Sequence, residues 1–215
     1  MKPTILVTGF TAFQEFDRNP SGDIAETVNG KQMNGFRVKG IRLPVSWHSA
    51  WPLIRKNAET LKPAAWLGFG LAPDPFLRLE TTARNEARNF YDEFGKLPLP
   101  TGAGEIIAGH TPTIPSALPL DWLREKLLIR NFATLGTYPL EVRYSDDAGG
   151  YICNHVFYLA MSELQEKIPV RGFIHVPPYT RDTAAGGPGD KDLIDVGLFI
   201  VECLAEWLAG EKTGE

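Results

Sequence analysis

A chain of 215 residues with 22 Lys and Arg against 26 Asp and Glu carries a formal charge of −4; it is long enough for one core without staples, and it gives nucleic acid no electrostatic reason to bind. Two cysteines, Cys153 and Cys203, are too few for a disulfide framework and fit a reducing cytoplasm, where one of them can act as a reactive thiol. The apolar run 196–209 is broken by Glu202 and Glu206, and the apolar residues before Thr8-Gly9 are too few for a signal peptide, so membrane and secreted classes are set aside.

Thr4-Ile5-Leu6-Val7-Thr8, stopped by Gly9, reads as a buried strand. Ser21 is the candidate N-cap of a helix over 22–29. Residues 36–43 alternate as a second strand. Ser46 is the candidate cap of a helix carrying Trp47, Trp51, Leu53, Ile54, Ala58 and Leu61 at helical spacing, ended by Pro63. Residues 64–70 form a third strand, and 77–83 alternate as an extended segment. The stretch 91–119 is rich in Pro and Gly and reads as a long loop insertion within one domain spanning 1–215. A helix over 121–131, a strand over 140–144, a helix over 151–166, a strand over 171–176, a flexible tip at 186–189 and a closing helix over 192–208 follow. Strands alternate with helices, which predicts a three-layer α/β/α sandwich around a mostly parallel, open, twisted sheet.

The chemistry concentrates at Cys153. Ala148-Gly149-Gly150 leads from a strand end into a helix whose first turn holds the cysteine. There the helix dipole and unpaired backbone N–H groups favour thiolate and can hold an oxyanion; a small buried hydrophobe is the other reading of the same spacing. Asp146-Asp147 adds charge that opposes thiolate. Cys203 lies mid-helix among Leu198, Ile200, Val201 and Leu204 and reads as core. Among the four histidines, His175 closes an apolar strand just before Pro177, where open α/β sheets place their ligands. It is a candidate base or a satisfied sheet histidine. His155, two residues after Cys153, cannot face it on a helix, and His48 and His110 have no supporting context. Glu80 could orient the base, but the Leu77-Arg78-Leu79-Glu80 alternation puts it first on a solvated face. No histidine or cysteine pair has metal-ligand spacing. Gly68-Phe69-Gly70 is half of a dinucleotide fingerprint and leaves a nucleotide-binding module as a third reading.

These residues together resemble the pyroglutamyl peptidase I family of cysteine peptidases. Thr8-Gly9-Phe10-x-x-Phe13 with Asn19-Pro20-Ser21 is similar to its opening. Ser145-x-Asp147-Ala148-Gly149-x-Tyr151-Ile152-Cys153-Asn154 is similar to its cysteine motif, and Gly172-Phe173-Ile174-His175-Val176-Pro177 to its histidine motif. Gly70-Leu71-Ala72-Pro73 with Leu79-Glu80, Ala83 and Asn85 is similar to its glutamate motif. The resemblance implies a cytoplasmic exopeptidase that removes N-terminal pyroglutamate from small peptides, without cofactor or metal, in a homo-oligomer, dimer or tetramer. It implies Cys153 as nucleophile, His175 as base and acid, and Glu80 as the group orienting His175. Phe10 and Phe13 would line the lactam pocket, the backbone at Gly70 and Leu71 would bind the ring amide, Asn19 would support that loop, and Tyr151 and Ile152 would touch substrate. Arg88 is the candidate for oxyanion support, reached only with a two-residue gap. The chain departs from the family pattern at Thr81, at Arg78, in a segment 70–80 one residue shorter, in Phe13-Gln14-Glu15 and after Pro178. The alternatives are a lapsed member that binds pyroglutamyl or related lactam peptides, and an amidase with a shifted substrate.

Overall fold

The computed structural model describes residues 2–13, 16–98, 104–130, 140–179 and 189–211. Strand β1 (Thr4–Phe10) sends Ile5 and Val7 into one apolar cluster and Leu6 and Phe10 into another on the opposite face. A strand apolar on both faces belongs inside a parallel sheet, and β1 lies between β3 (Phe36–Leu43) and β4 (Ala65–Leu71), parallel to both. Beyond β4 come β9 (Val170–Val176), parallel to it, then β5 (Leu77–Glu80), antiparallel to β9, and β8 (Val142–Ser145) at the edge, parallel to β5. A two-residue β2 (Gln32–Met33) closes the other edge antiparallel to β3, so the order is β2-β3-β1-β4-β9-β5-β8. Helices α1 (Pro20–Val28), α3 (Leu120–Arg130) and α5 (Asp190–Glu211) cover one face; α2 (Ala50–Leu61) and α4 (Ile152–Glu163) cover the other. The expected mostly parallel α/β/α sandwich is what the chain forms.

Several local details differ from the sequence reading. Helix α1 starts at Pro20, and Asn19 rather than Ser21 is its N-cap: Asn19 Oδ1 accepts the Ser21 N–H at 3.1 Å, with proline suited to the first helical position. Helix α2 starts at Ala50. The Ser46 hydroxyl accepts from the His48 N–H in the preceding turn, at 3.3 Å, and caps no helical amide. The extended segment 77–83 breaks at Thr81 into β5 and β6 (Thr82–Arg84). Strand β6 pairs with β7 (Thr113–Pro115), so the 91–119 stretch carries a strand of its own. Its first turn is organised by Asp92, which accepts the N–H groups of Trp47, Phe94 and Lys96. Burial pushes that carboxyl up, and the three amides outweigh it and hold it below the usual carboxylate range. The expected tip at 186–188, the residue ending the 121–131 helix, and Gln14 and Glu15 lie outside the described residues.

Candidate active site

The sheet builds the site through its two-residue period. On β4, Ala65, Leu67 and Phe69 face the α5 side, while Trp66, Gly68 and Gly70 face α4. The two glycines leave a trough along that face. A Cβ on Gly68 would stand 2.4 Å from the Phe173 ring, and one on Gly70 would stand 2.9 Å from both Cys153 Sγ and His175 Cδ2. The sulfur and the imidazole carbon are therefore no farther apart than twice that distance, and glycine at position 70 leaves room for both. These glycines lie inside a strand rather than in a turn opening a helix, which removes the basis of the dinucleotide reading.

His175 is the next-to-last residue of β9, in register with Gly70 on one side and Arg78 on the other. It is 3% exposed, and its Nδ1 lies 2.7 Å from Oε1 of Glu80, which is fully buried. A carboxylate only accepts, so Nδ1 is the donor in this pair, and Nε2 is the ring nitrogen left outside it. On β5, Leu77 and Leu79 point into the core on the α5 side, so Arg78 and Glu80 share the face toward His175. That face is the site, not solvent. Glu80 Oε2 is buried without a hydrogen-bond partner among the described residues.

Arg78 links the parts. Its Nε lies 3.1 Å from Glu80 Oε1, Nη1 bonds Asp74 at 2.9 Å, and Nη2 bonds the Ser145 hydroxyl at 2.8 Å and the Asp147 carbonyl oxygen. One guanidinium thus balances the charge of Glu80 and ties β5 to the loop that leads to Cys153. Thr81 adds to the same tie: its N–H and its hydroxyl both donate to the Ser145 carbonyl, at 2.6 and 3.0 Å.

That loop turns at Gly149, whose φ of +78° favours glycine. It delivers Cys153 as the second residue of α4. Tyr151, at the N-cap, gives no side-chain cap bond, so the first amides of α4 remain open to a ligand. Asn154, fully buried, locks this helix start to β6 through the Arg84 amide and the carbonyls of Arg84 and Glu86. Burial, and then the charge of Glu80, push the Cys153 thiol up to about 12; its own backbone N–H and Arg78 pull the other way and lose. The helix start, which favours thiolate, is thus opposed by burial and by Glu80, which favour the neutral thiol.

Cys153 opens onto a cavity of about 230 Å³ lined by aromatic and aliphatic side chains. Phe10, Phe13, Asn19, Leu71, Tyr151 and Ile152, all singled out in the sequence, border it. The Phe13 and Tyr151 rings stack at 5.5 Å between centroids, and the Tyr151 hydroxyl donates to the Tyr91 carbonyl. Asn19 Nδ2 donates to the Thr11 carbonyl at 3.0 Å and braces the loop after β1. Phe16, Val45 and Pro73 also line the cavity and were missed. The three-residue spacing of Phe10, Phe13 and Phe16 was the available signal for the first. Arg88 is exposed. Its Nε lies 2.8 Å from Glu86, and its stem covers Gly150, so its contacts among the described residues lie away from Cys153. His155 packs its ring edge-on against Trp47, and burial, then His48, lowers it to about 4. Among the described residues no group of three His, Cys, Asp or Glu side chains is set to hold a metal ion, and no helix is long and apolar enough to cross a membrane.

The family model for pyroglutamyl peptidase matches residues 3–190. The chain belongs to the pyroglutamyl peptidase family. A pyrrolidone-carboxylate peptidase of Saccharolobus islandicus is 33% identical over 180 residues, covering 81% of this chain and 79% of its own. One from Ralstonia nicotianae is 31% identical over 206 residues, covering 92% and 90%. Among solved structures, the pyrrolidone carboxyl peptidase of Pyrococcus furiosus superposes with a TM-score of 0.83 at 27% identity, covering 95% of this chain and 99% of that one. That of Thermococcus litoralis gives 0.82 at 26%, covering 98% and 96%. In this chain Cys153, His175 and Glu80 gather where the end of β9 meets the start of α4.

Proposed function

We propose that the chain is a cysteine exopeptidase that hydrolyses the amide bond after an N-terminal pyroglutamyl residue, with Cys153 as nucleophile, His175 as base and acid, and Glu80 orienting His175. The observation that carries the reading is the buried His175–Glu80 pair set against Cys153 at the mouth of an aromatic cavity, in a chain of this family. The five-membered lactam fits flat walls from Phe10, Phe13 and Phe16, and its ring amide meets the backbone at Gly70 and Leu71, since desolvated N–H and C=O groups need fixed partners. His175 Nε2 takes the thiol proton as sulfur attacks the carbonyl carbon, and the imidazolium so formed is held by Glu80. The open amides at the start of α4 receive the oxyanion. His175 then protonates the leaving amine, and the C–N bond breaks to leave a thioester. Water, deprotonated by the same imidazole, hydrolyses that thioester to release pyroglutamate.

A thiol near 12 fits this order, in which the proton moves as substrate is attacked rather than beforehand. Arg88 stays in the reading only as a support for the loop at Gly150. The free Cys153 and Cys203 support a reducing cytoplasm. A homo-oligomer is part of the same reading, with exposed Leu128 and Ile129 on α3 as apolar surface it could cover.

The test is release of a fluorescent amine from a pyroglutamyl amide under reducing conditions. Wild-type turnover that disappears in Cys153→Ala and falls steeply in His175→Ala and Glu80→Gln is the expected result. Tight binding of pyroglutamyl peptides without any turnover would replace this reading with the lapsed-member alternative.

A further inference from the structure

Cys153 borders a second cavity as well as the aromatic one. The two share Leu71, Pro73, Tyr151 and Cys153 and diverge from there. The second, of about 250 Å³, is the one that contains His175, together with Arg78, Asp147 and Gly149. The chemistry orients substrate across this pair. A pyroglutamyl ring in the aromatic cavity puts its carbonyl carbon at the sulfur. The leaving amine must take its proton from His175, so the chain beyond the scissile bond runs into the cavity that holds His175.

Among the described residues, the charged side chains lining that cavity are Arg78 and Asp147. Each nitrogen of Arg78 has a partner, in Glu80, Asp74, the Ser145 hydroxyl and the Asp147 carbonyl oxygen, and the two carboxylates offset its charge, which weakens its pull on an acidic substrate. Asp147 uses one carboxylate oxygen to accept the Gly149 N–H at 2.9 Å and makes no ion pair among the described residues. Arg88, a cation whose field reaches Asp147, is itself paired with Glu86. Asp74 and Glu80, outside the cavity lining, thus offset the charge of Arg78, and Asp147 is the lining carboxylate that has no ion pair among the described residues.

We propose that this second cavity is the subsite for the residue after the pyroglutamyl group, and that Asp147 makes it favour a basic side chain, lysine or arginine, over an acidic one. The inference rests on the peptidase reading above and adds a substrate preference to it. Asp147 is partly open to solvent, so the pair it forms with a substrate cation has the modest strength of an exposed ion pair: up to about fivefold in kcat/KM for lysine over glutamine, with glutamate below glutamine by a similar factor.

The experiment compares kcat/KM for pyroglutamyl-Lys, -Gln and -Glu amides of equal length, beside pyroglutamyl-aminomethylcoumarin, whose leaving group is uncharged. The expected lysine-to-glutamate ratio at low salt is the product of those factors, up to about 25-fold. It collapses toward one near about 1 M NaCl, where the Debye length falls to about 3 Å. Asp147→Asn keeps an acceptor for the Gly149 amide and removes the charge; with each rate normalised to that variant's glutamine substrate, the ratio falls toward one. The salt dependence of the wild type decides the matter if the variant does not fold. A ratio within about twofold of one at low salt, or one that Asp147→Asn leaves in place, overturns the inference while coumarin release upholds the peptidase reading. Absence of turnover on every amide, coumarin included, overturns the reading underneath.

Discussion

The two cysteines of this chain differ in placement far more than in acidity. Burial raises both thiols, Cys153 to about 12 and Cys203 to about 11. Cys203 sits mid-way along α5, 2% exposed, its carbonyl accepting from the Trp122 indole at 3.3 Å. Cys153 sits in the first turn of α4, with open amides beneath it and an imidazole beside it whose other nitrogen is held by a buried carboxylate. A thiol's own acidity does not distinguish nucleophile from core filler here. On the proposed reading, what distinguishes them is a proton acceptor beside Cys153 and a cavity for the carbonyl under attack.

The largest expected effect tests that contrast directly. Cys153→Ala is expected to lower kcat on a pyroglutamyl amide by about 10⁴-fold or more, the scale seen when a nucleophile is removed from a catalytic unit. Cys203→Ala is expected to leave kcat and KM alone and to lower stability by about 1 kcal/mol, the scale of a small buried group. Steady-state kinetics and thermal unfolding of the two variants check it. Comparable losses of activity in both would mean that placement is not the deciding variable.

Much of this contrast was legible from local pattern. Gly149-Gly150 before a helical run puts Cys153 at a helix start, and an apolar run ended by Val176-Pro177 puts His175 at a strand end; both are nearest-neighbour features that survive folding. Glu80 was less legible. Alternation in Leu77-Arg78-Leu79-Glu80 correctly pairs Arg78 with Glu80 on one face, but a period of two does not say what covers that face. Strand β5 runs antiparallel to β9 and is inserted between it and β8, a pairing across nearly a hundred residues with no local signature, and it turns the polar face inward onto His175. Only the family resemblance pointed there. The missed β2 and β7, two and three residues long, likewise exist through distant partners. The cap of α1 moves from Ser21 to Asn19, two near-equivalent short polar side chains at one helix end, whereas α2 starts at Ala50 without a side-chain cap bond and Ser46 closes the turn before it.

Arg78 sharpens the comparison from the side of the base. In the sequence it stood out only as a departure from the family pattern, whereas in the fold it is the cation that joins Glu80 to the loop of Cys153. Arg78→Met removes the charge that balances Glu80 and the bonds to Ser145 and Asp147 while keeping most of the apolar stem. It is expected to lower kcat about 10- to 100-fold, the cost of misplacing reacting groups slightly. Arg78→Lys is expected to recover part of the loss, because a point charge replaces the fork without its geometry. The pH–rate profile separates a positioning role from general damage: it should move in Arg78→Met and move back in Arg78→Lys. A profile identical to wild type beside a lowered melting temperature would reduce Arg78 to a structural brace.

The smallest expected effect concerns stability at alkaline pH, and there the two cysteines should behave alike. Each folded thiol holds its proton above the ordinary value of 9.0, Cys153 to about 12 and Cys203 to about 11. Between those limits the unfolded chain has released a proton that the folded chain keeps. The native state then binds more protons, and stability falls as pH rises. The contribution is complete below pH 9.0 and is lost as pH passes through the folded values. Replacing either cysteine with alanine should flatten this decline, over 9 to 11 for Cys203→Ala and over 9 to 12 for Cys153→Ala, as read from urea midpoints across the range. Tyr151 and Tyr179, both raised by burial, add a common slope at the upper end that neither substitution removes. If Cys153→Ala left the decline unchanged while Cys203→Ala flattened it, Cys153 would already be ionised in the folded state. The nucleophile would then be a preformed thiolate–imidazolium pair, and the proton transfer placed at the moment of attack would have to move to an earlier step.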